Sequence, residues 1–306
     1  MNRREFLKAS LGAMAGLSLS STLLPACAGP QLKREGAPPI DTLLEGGARV
    51  MWIAAHPDDE SLAGSIMAKA GPRLHNPIYM HVLTHGDGGE CCRPEGCLPD
   101  LATVRGEELA QVARLYGATL ENDRYWNAPL PTESFPPRQE IAKRWVNENG
   151  DPAVKIARSI RAFKPDIVLT FSPIRGFTGH PEHQLAARFA TAGVRLAAKP
   201  DATVEGAPFK VANTYFAINR YWIYRLLGIE DPIPSTEKVW ARQPCIEDLL
   251  CIDVAAEFTR PHRTQANDMG GVRKAAKFIE YIYLHRTDPF TEIYDPFEPV
   301  AHGGMV

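Results

Sequence analysis

Apolar and polar positions follow one another along this chain in blocks that read as strand, helix, strand, helix. Residues 49–55 (RVMWIAA) are a short, nearly unbroken apolar run closed by a histidine, a proline and acids, the pattern of a strand buried on both faces. Residues 78–84 (IYMHVLT) and 166–171 (DIVLTF) repeat it, and 119–126 and 211–218 predict two further strands. Between them, apolar residues recur at helical spacing over 58–70, 101–116, two helices within 138–163, and 180–198. Asp58 and Asp59 open the first of these, where carboxylates suit the positive end of a helix. Further on, residues 249–254 read as a late strand. From Pro261 a helical pattern, bent near Gly270 and Gly271, runs to His285 before a Pro-rich surface tail. Residues 220–242, rich in aromatics and proline, fit neither period.

Alternation of this kind with short connections implies an α/β fold, a Rossmann-like three-layer sandwich around a mostly parallel central sheet. Residues 48–306 then make one domain, and 30–47, aperiodic and rich in Pro and Gly, serve as lead-in or tether. In such sheets ligands bind beyond the carboxyl ends of the strands. A turn reading Gly-x-Gly-x-x-Gly is missing after the first strand, and carboxylates stand in its place, so a dinucleotide site is disfavoured there.

The first 29 residues differ from the rest. Arg3 and Arg4 precede an apolar, small-residue run and a PACAG segment, the order of an export signal of twin-arginine type. This implies use of the twin-arginine export machinery and a mature protein in the periplasm or cell envelope. Residues 24–27 resemble a lipoprotein box, with Cys27 as the lipid-anchored residue; cleavage by the ordinary signal peptidase is the alternative. A near-neutral balance, 34 basic against 36 acidic side chains, excludes nothing about small substrates but argues against nucleic acid as a partner. Three of six cysteines crowd the loop 91–97 (CCRPEGC), where a disulfide to Cys97 is the first reading.

Three polar clusters follow apolar strand runs and so arrive at one sheet edge: AHPDDE at 55–60, THGDGGE at 84–90 and RGFTGHPEH at 175–183. His56 and a carboxylate three residues on can converge on one ion at a strand-to-helix turn, and His180 and His183, spaced i and i+3, supply a second pair. Two histidines and an aspartate hold zinc while leaving a fourth position for water, a catalytic arrangement. Asp87, Glu90 and His85 are candidates for orienting a ligand histidine or a substrate hydroxyl, and residues 220–226 for lining the cleft.

AHPDDE near the domain start and GHPEH well downstream, with Arg105, Glu108 and Leu115-Tyr116-Gly117 and less firmly His262, Arg263 and Gln265, resemble the PIG-L/LmbE family of zinc-dependent de-N-acetylases. The resemblance implies an LmbE-like catalytic domain over 48–306 that cleaves an N-acetyl bond of an N-acetylglucosamine-like small molecule. By motif position it implies Zn2+, or another divalent ion, on His56, Asp59 and His183. It makes Asp58 the general base, His180 the stabiliser of the oxyanion or the helper of the leaving amine, and Arg105 a substrate contact, with His262 a looser match on the substrate side; Asp87 is a substrate-side candidate from its place in the loop alone. Hydrolysis of another N-acyl or ester bond at the same site, and a catalytically silent carbohydrate-binding protein, are the alternatives.

Overall fold

A computed structural model describes residues 38–299 of the chain; the export signal and Cys27 lie outside the described residues. Seven strands form a single sheet in the order β3-β2-β1-β4-β5-β7-β6. Strands β1 (Val50–Ala54), β2 (Ile78–Thr84), β3 (Ala118–Tyr125), β4 (Ile167–Phe171) and β5 (Asn213–Ile218) are parallel. Strands β6 (Glu237–Trp240) and β7 (Tyr281–Thr287) close one side, β7 antiparallel to β5 and β6 antiparallel to β7. Every residue of β1 and β4 is buried, because each strand is central and helices cover both faces. The side chains of β1 alternate between two cores. Val50, Trp52 and Ala54 pack with Met80, Phe171 and Tyr116 on one side; Met51 and Ile53 pack with Trp145, Ile156 and Phe189 on the other.

The first face is covered by α1 (Ile40–Glu45), α2 (Gly64–Ala68), α3 (Leu101–Tyr116) and a later helix over Cys251–Phe258; the second by α4 (Arg138–Asn149), α5 (Pro152–Phe163) and α6 (Pro181–Ala198). A short α7 (Trp222–Leu226) precedes β6, the Cys251–Phe258 helix is α8, and α9 (Ala266–Ala276) leads into β7. The chain runs from β1 outward to β2 and β3, then returns to β4 on the other side of β1. Sheet order therefore reverses between β1 and β4, and the crevice at their carboxyl ends is the expected binding position.

Three parts of the sequence reading are corrected. Residues 249–254 are not a strand: Cys251, Ile252, Val254 and Ala255 are buried at helical spacing within α8. The helical pattern from Pro261 does not reach His285; a turn of 3-10 helix over Arg263–Gln265 and then α9 give way to β7, whose residues pair with strands on both sides. Part of the lead-in is a packed helix, α1, with Ile40 and Leu44 buried and Asp41 paired to the buried Lys69 at 2.6 Å.

Candidate metal centre

The turn after β1 is shaped by its own acids. Asp59 turns its carboxylate back so that Oδ2 accepts from the backbone N–H of Ala55 (3.1 Å) and of His56 (2.8 Å). Asp58, between them, adopts φ 100°, a left-handed conformation that a non-glycine residue takes up only when its surroundings hold it there. Its N–H donates to Glu60 Oε2, and Glu60 Oε1 in turn accepts from His262 Nε2 at 2.7 Å. The Arg105 guanidinium reaches in from α3 and donates to the carbonyls of Gly86 and Pro57, at 2.6 Å each, and to Asp58 Oδ2 at 3.2 Å. Gly86 has φ +67°, and a Cβ there would stand 2.4 Å from that guanidinium, so the loop after β2 must carry glycine to let Arg105 pass.

The second turn, after β4, delivers His180 and His183 to the same place. His180 caps α6, its Nδ1 accepting from the Glu182 N–H at 3.2 Å, which leaves the proton of a neutral ring on Nε2. His183 lies one turn in, and its Nδ1–H donates to the Gly176 carbonyl at 2.9 Å. His56 Nδ1 is 3.1 Å from His183 Nε2 and 3.6 Å from Asp59 Oδ2, and Asp59 Oδ1 is 3.0 Å from His183 Nε2. Donors bound tetrahedrally to zinc with bonds of about 2.0–2.1 Å stand roughly 3.3 Å apart, so the two ring nitrogens and the Asp59 carboxylate, which turns a different oxygen to each ring, lie near the spacing that such an ion requires. His180 also lies within this group: His56, His180 and His183 each offer a ring nitrogen within 4.8 Å of the others.

A residue that the sequence reading passed over orients the group. Glu182, fully buried, accepts from His56 Nε2 at 2.5 Å, from Asn127 Nδ2 at 2.6 Å and from the Ala128 N–H at 2.8 Å. With its Nε2 held by a carboxylate, His56 turns Nδ1 toward Asp59 and His183; the Gly176 carbonyl does the same for His183. Outer partners of this kind fix tautomer and ring direction in metal-ligating histidines. Burial pushes the His56 imidazole down, but Asp59 and Glu182 outweigh it and raise its pKa to about 9. Burial acts on Asp59 in the opposite sense, and the two histidine rings hold its carboxyl well below the ordinary range. The two carboxylates thus make a pocket that favours a cation. The acid in GHPEH was the available signal for Glu182; nothing local marks Asn127.

These turns match what residues 51–194 share with a known family model, described as PIG-L: GlcNAc-PI de-N-acetylase. Over those residues the chain is similar to the PIG-L/LmbE-like superfamily. Among curated relatives, it is 29% identical over 198 residues to a Streptomyces scabiei protein named 1D-myo-inositol 2-acetamido-2-deoxy-alpha-D-glucopyranoside deacetylase, covering 60% of each chain. The chain spans about 60% of the length of such relatives. Among solved structures, N,N'-diacetylchitobiose deacetylase from Pyrococcus horikoshii aligns with TM-score 0.57 at 17% identity, over 82% of this chain and 87% of that one. GalB, a 4-carboxy-2-hydroxymuconate hydratase from Pseudomonas putida KT2440, aligns with TM-score 0.53 at 14% identity, over 79% and 96%. The same fold thus occurs in proteins named for two different chemistries, so fold alone does not fix a function and the site has to.

Of the remaining candidates, Arg105 lines the cleft with His56, Asp58, Asn127, Phe135 and His180. Its guanidinium is committed to the Asp58 turn, so its observed contacts are internal. His262 is 1% exposed and bonded to Glu60; it braces that turn from beneath and does not line the cleft. Asp87 and Glu90 are exposed on the loop after β2, and His85 Nδ1 donates to the Ala102 carbonyl. Cys91 and Cys97 form the disulfide of that loop and Cys92 is a free thiol. Residues 221–224 line a separate apolar groove instead of the cleft at His56.

Proposed function

We propose that the protein is a zinc-dependent amidohydrolase that removes an acetyl group from the nitrogen of an acetamido sugar or a closely related N-acyl compound. The observation that carries this reading is the donor set itself. His56, Asp59 and His183 have zinc-like spacing, with both histidines tied on their outer nitrogens, and Asp58 and His180 stand beside them at the cleft. His56, Asp59 and His183 would hold the ion, which when bound supplies a water of lowered pKa and a Lewis acid for the amide carbonyl. A pocket that binds carbohydrate only has no use for a carboxylate held in a left-handed turn next to such a set.

The chain's own residues account for the remaining work. Asp58, kept in place by Arg105 and by its N–H bond to Glu60, accepts a proton from the attacking water. The His180 Nε2–H donates to the oxyanion as the carbonyl carbon becomes tetrahedral. The proton on Asp58 then passes to the amide nitrogen, the C–N bond breaks, and acetate and a free amine leave. The acetamido sugar as substrate class is supported by the names of the family model and of the Streptomyces scabiei relative, both of which describe such compounds. The twin-arginine leader read in residues 1–29 would place the reaction outside the cytoplasm, with Cys27 as the lipid-anchored residue if the lipoprotein box is used.

Acetate release by the zinc-loaded protein, measured over a panel of N-acetylated glucosamine derivatives alongside Asp58→Asn, tests the reading. Release that disappears in Asp58→Asn while zinc stays bound is the expected result. No release from any compound, with zinc confirmed bound, would overturn the deacetylase reading; loss of zinc in Asp58→Asn would make Asp58 a ligand.

A further inference from the structure

Beside the metal turns, between α7, α8, α9 and the start of β7, runs an apolar groove of about 250 Å³. Ile252 and Ile282 are buried at its base, and Trp222 and Phe278 stand at its edge, 64% and 70% exposed. Leu226, at the end of α7, is 72% exposed, and Leu227 follows it. So many large apolar side chains left in water next to one another mark a surface that is covered in use. The groove also shares walls with the candidate metal centre. Leu62 belongs to the same short helix as Asp59, and Phe177 follows Gly176, whose carbonyl fixes His183.

The charges around this patch identify what covers it. Residues 272–278 read VRKAAKF, three cations without an acid, in a chain whose net charge is −2. Lys274 lines the groove, Lys277 lies one turn on, and both are exposed. Neither makes an ion pair among the described residues, whereas Arg225 on α7 is neutralised by Glu230. An exposed tryptophan, phenylalanine and leucines flanked by unpaired lysines is the composition of an element that lies in a membrane interface, its rings at headgroup level and its cations against anionic lipid. A protein partner would need acids placed to meet two particular lysines; an anionic bilayer supplies that charge anywhere.

We propose that this face, with Trp222, Leu226 and Phe278 inserted and Lys274 and Lys277 against the headgroups, docks the protein on an anionic lipid surface. The inference does not depend on the reaction assigned to the metal turns.

Full-length protein mixed with phosphatidylglycerol-containing vesicles whose acyl chains are brominated provides a local readout, since bromine quenches only a tryptophan that enters the bilayer. Quenching of the wild type that Trp222→Phe loses is the expected result, and it is insensitive to any binding by residues 1–37, which both proteins share. Lys274→Glu/Lys277→Glu should weaken binding to anionic vesicles about tenfold or more and leave binding to purely zwitterionic ones unchanged. Quenching that persists in Trp222→Phe, or equal binding of the lysine variant and the wild type, would overturn the proposal. So would sedimentation equilibrium showing a dimer that Trp222→Ser dissociates, because a second copy would then be the occupant.

Discussion

Replacing Glu182 by glutamine tests whether the buried carboxylate behind His56 tunes a metal site. The side chain keeps its shape, but its hydrogen-bonding capacity no longer fits. Three donors face Glu182: His56 Nε2–H and Asn127 Nδ2–H at Oε2, and the Ala128 N–H at Oε1. Glutamine has one acceptor oxygen. Put toward His56 and Asn127, it leaves an NH2 group against the Ala128 N–H; turned round, it sets the NH2 against two donors. The better orientation still leaves one buried donor unsatisfied, at about 1–3 kcal/mol. Loss of an outer-shell partner costs about 10–100-fold in metal affinity, which at roughly 1.4 kcal/mol per tenfold is the same range. Zinc competition against a chromophoric chelator should therefore show Glu182→Gln binding about 10–100 times more weakly, with a parallel fall in kcat/KM at subsaturating zinc. Asn127→Ala serves as the control: it strips one support from Glu182 but keeps the His56 bond, so zinc affinity should fall less than in Glu182→Gln. A Glu182→Gln protein that binds zinc within about twofold of wild type would refute the reasoning.

Arg105→Lys replaces a guanidinium that spans three acceptors with a single ammonium, so Asp58 loses its brace; kcat should drop by about two orders of magnitude while zinc affinity, measured by the same competition, stays near wild type. His262→Ala leaves the Glu60 carboxylate, whose side chain is 2% exposed, buried without the donor that His262 supplies, a loss of about 1–3 kcal/mol that thermal or urea unfolding will register, and His262→Gln should recover part of it. The pKa of His56 is raised from 6.5 to about 9, so in chelator-treated protein the ring holds a proton that the metal must displace. Zinc affinity should rise by up to about tenfold per pH unit above neutrality and flatten above pH 9; an affinity independent of pH between 7 and 9 would contradict the assignment of His56 as a ligand. By the same sign, the stabilisation that the His56 proton gives the metal-free fold is complete below pH 6.5 and is lost as pH rises through 9.

What could be read in the sequence was what is written locally. Strands β1, β2 and β4 announce themselves because they are buried on both faces, or nearly so, and carry mostly apolar runs. The spacing of α8 becomes helical only when the window extends to Phe258, and a reading that stops at Val254 sees a strand. In β7 half-buried and buried positions mix, and what makes it a strand is its pairing with β5 on one side and β6 on the other, which is invisible along the chain. Helix α1 has only Ile40 and Leu44 as buried anchors, too few to set a period. At the site, the candidate donors are legible as two His-Pro-acid turns. The task of Glu182 was not, since it acts on a histidine 126 residues away. Arg105 and His262 read as substrate contacts from the sequence; in the structure their bonds go to Asp58 and to Glu60 of the same turn.

The two turns have nearly the same text, His-Pro-Asp-Asp and His-Pro-Glu-His, and divide the work by crossing over. In the first, the histidine and the fourth residue are the proposed metal donors and the third is the acid at the cleft, held by Arg105; in the second, the fourth residue is the proposed donor, the histidine lines the cleft, and the third reaches across to hold His56. Asp59 answers from the first turn by contacting His183 in the second. Neither turn can therefore build its half alone. They meet because β1 and β4 pair in register, Val50 with Ile167 and Trp52 with Leu169, so that both strands end at one level. A change that shifts this register by one residue would turn every side chain of β1 to the wrong core and separate the donors at the same time. Loss of the metal centre and loss of the fold are thus expected to coincide for substitutions in β1 and β4, and to separate for substitutions in the turns themselves. A β1 core variant such as Ile53→Ala, about 2–5 kcal/mol less stable, should retain full zinc affinity in whatever fraction remains folded. If its folded fraction bound zinc weakly, the two turns would have to be less firmly tied to the strands than their shared hydrogen bonds imply.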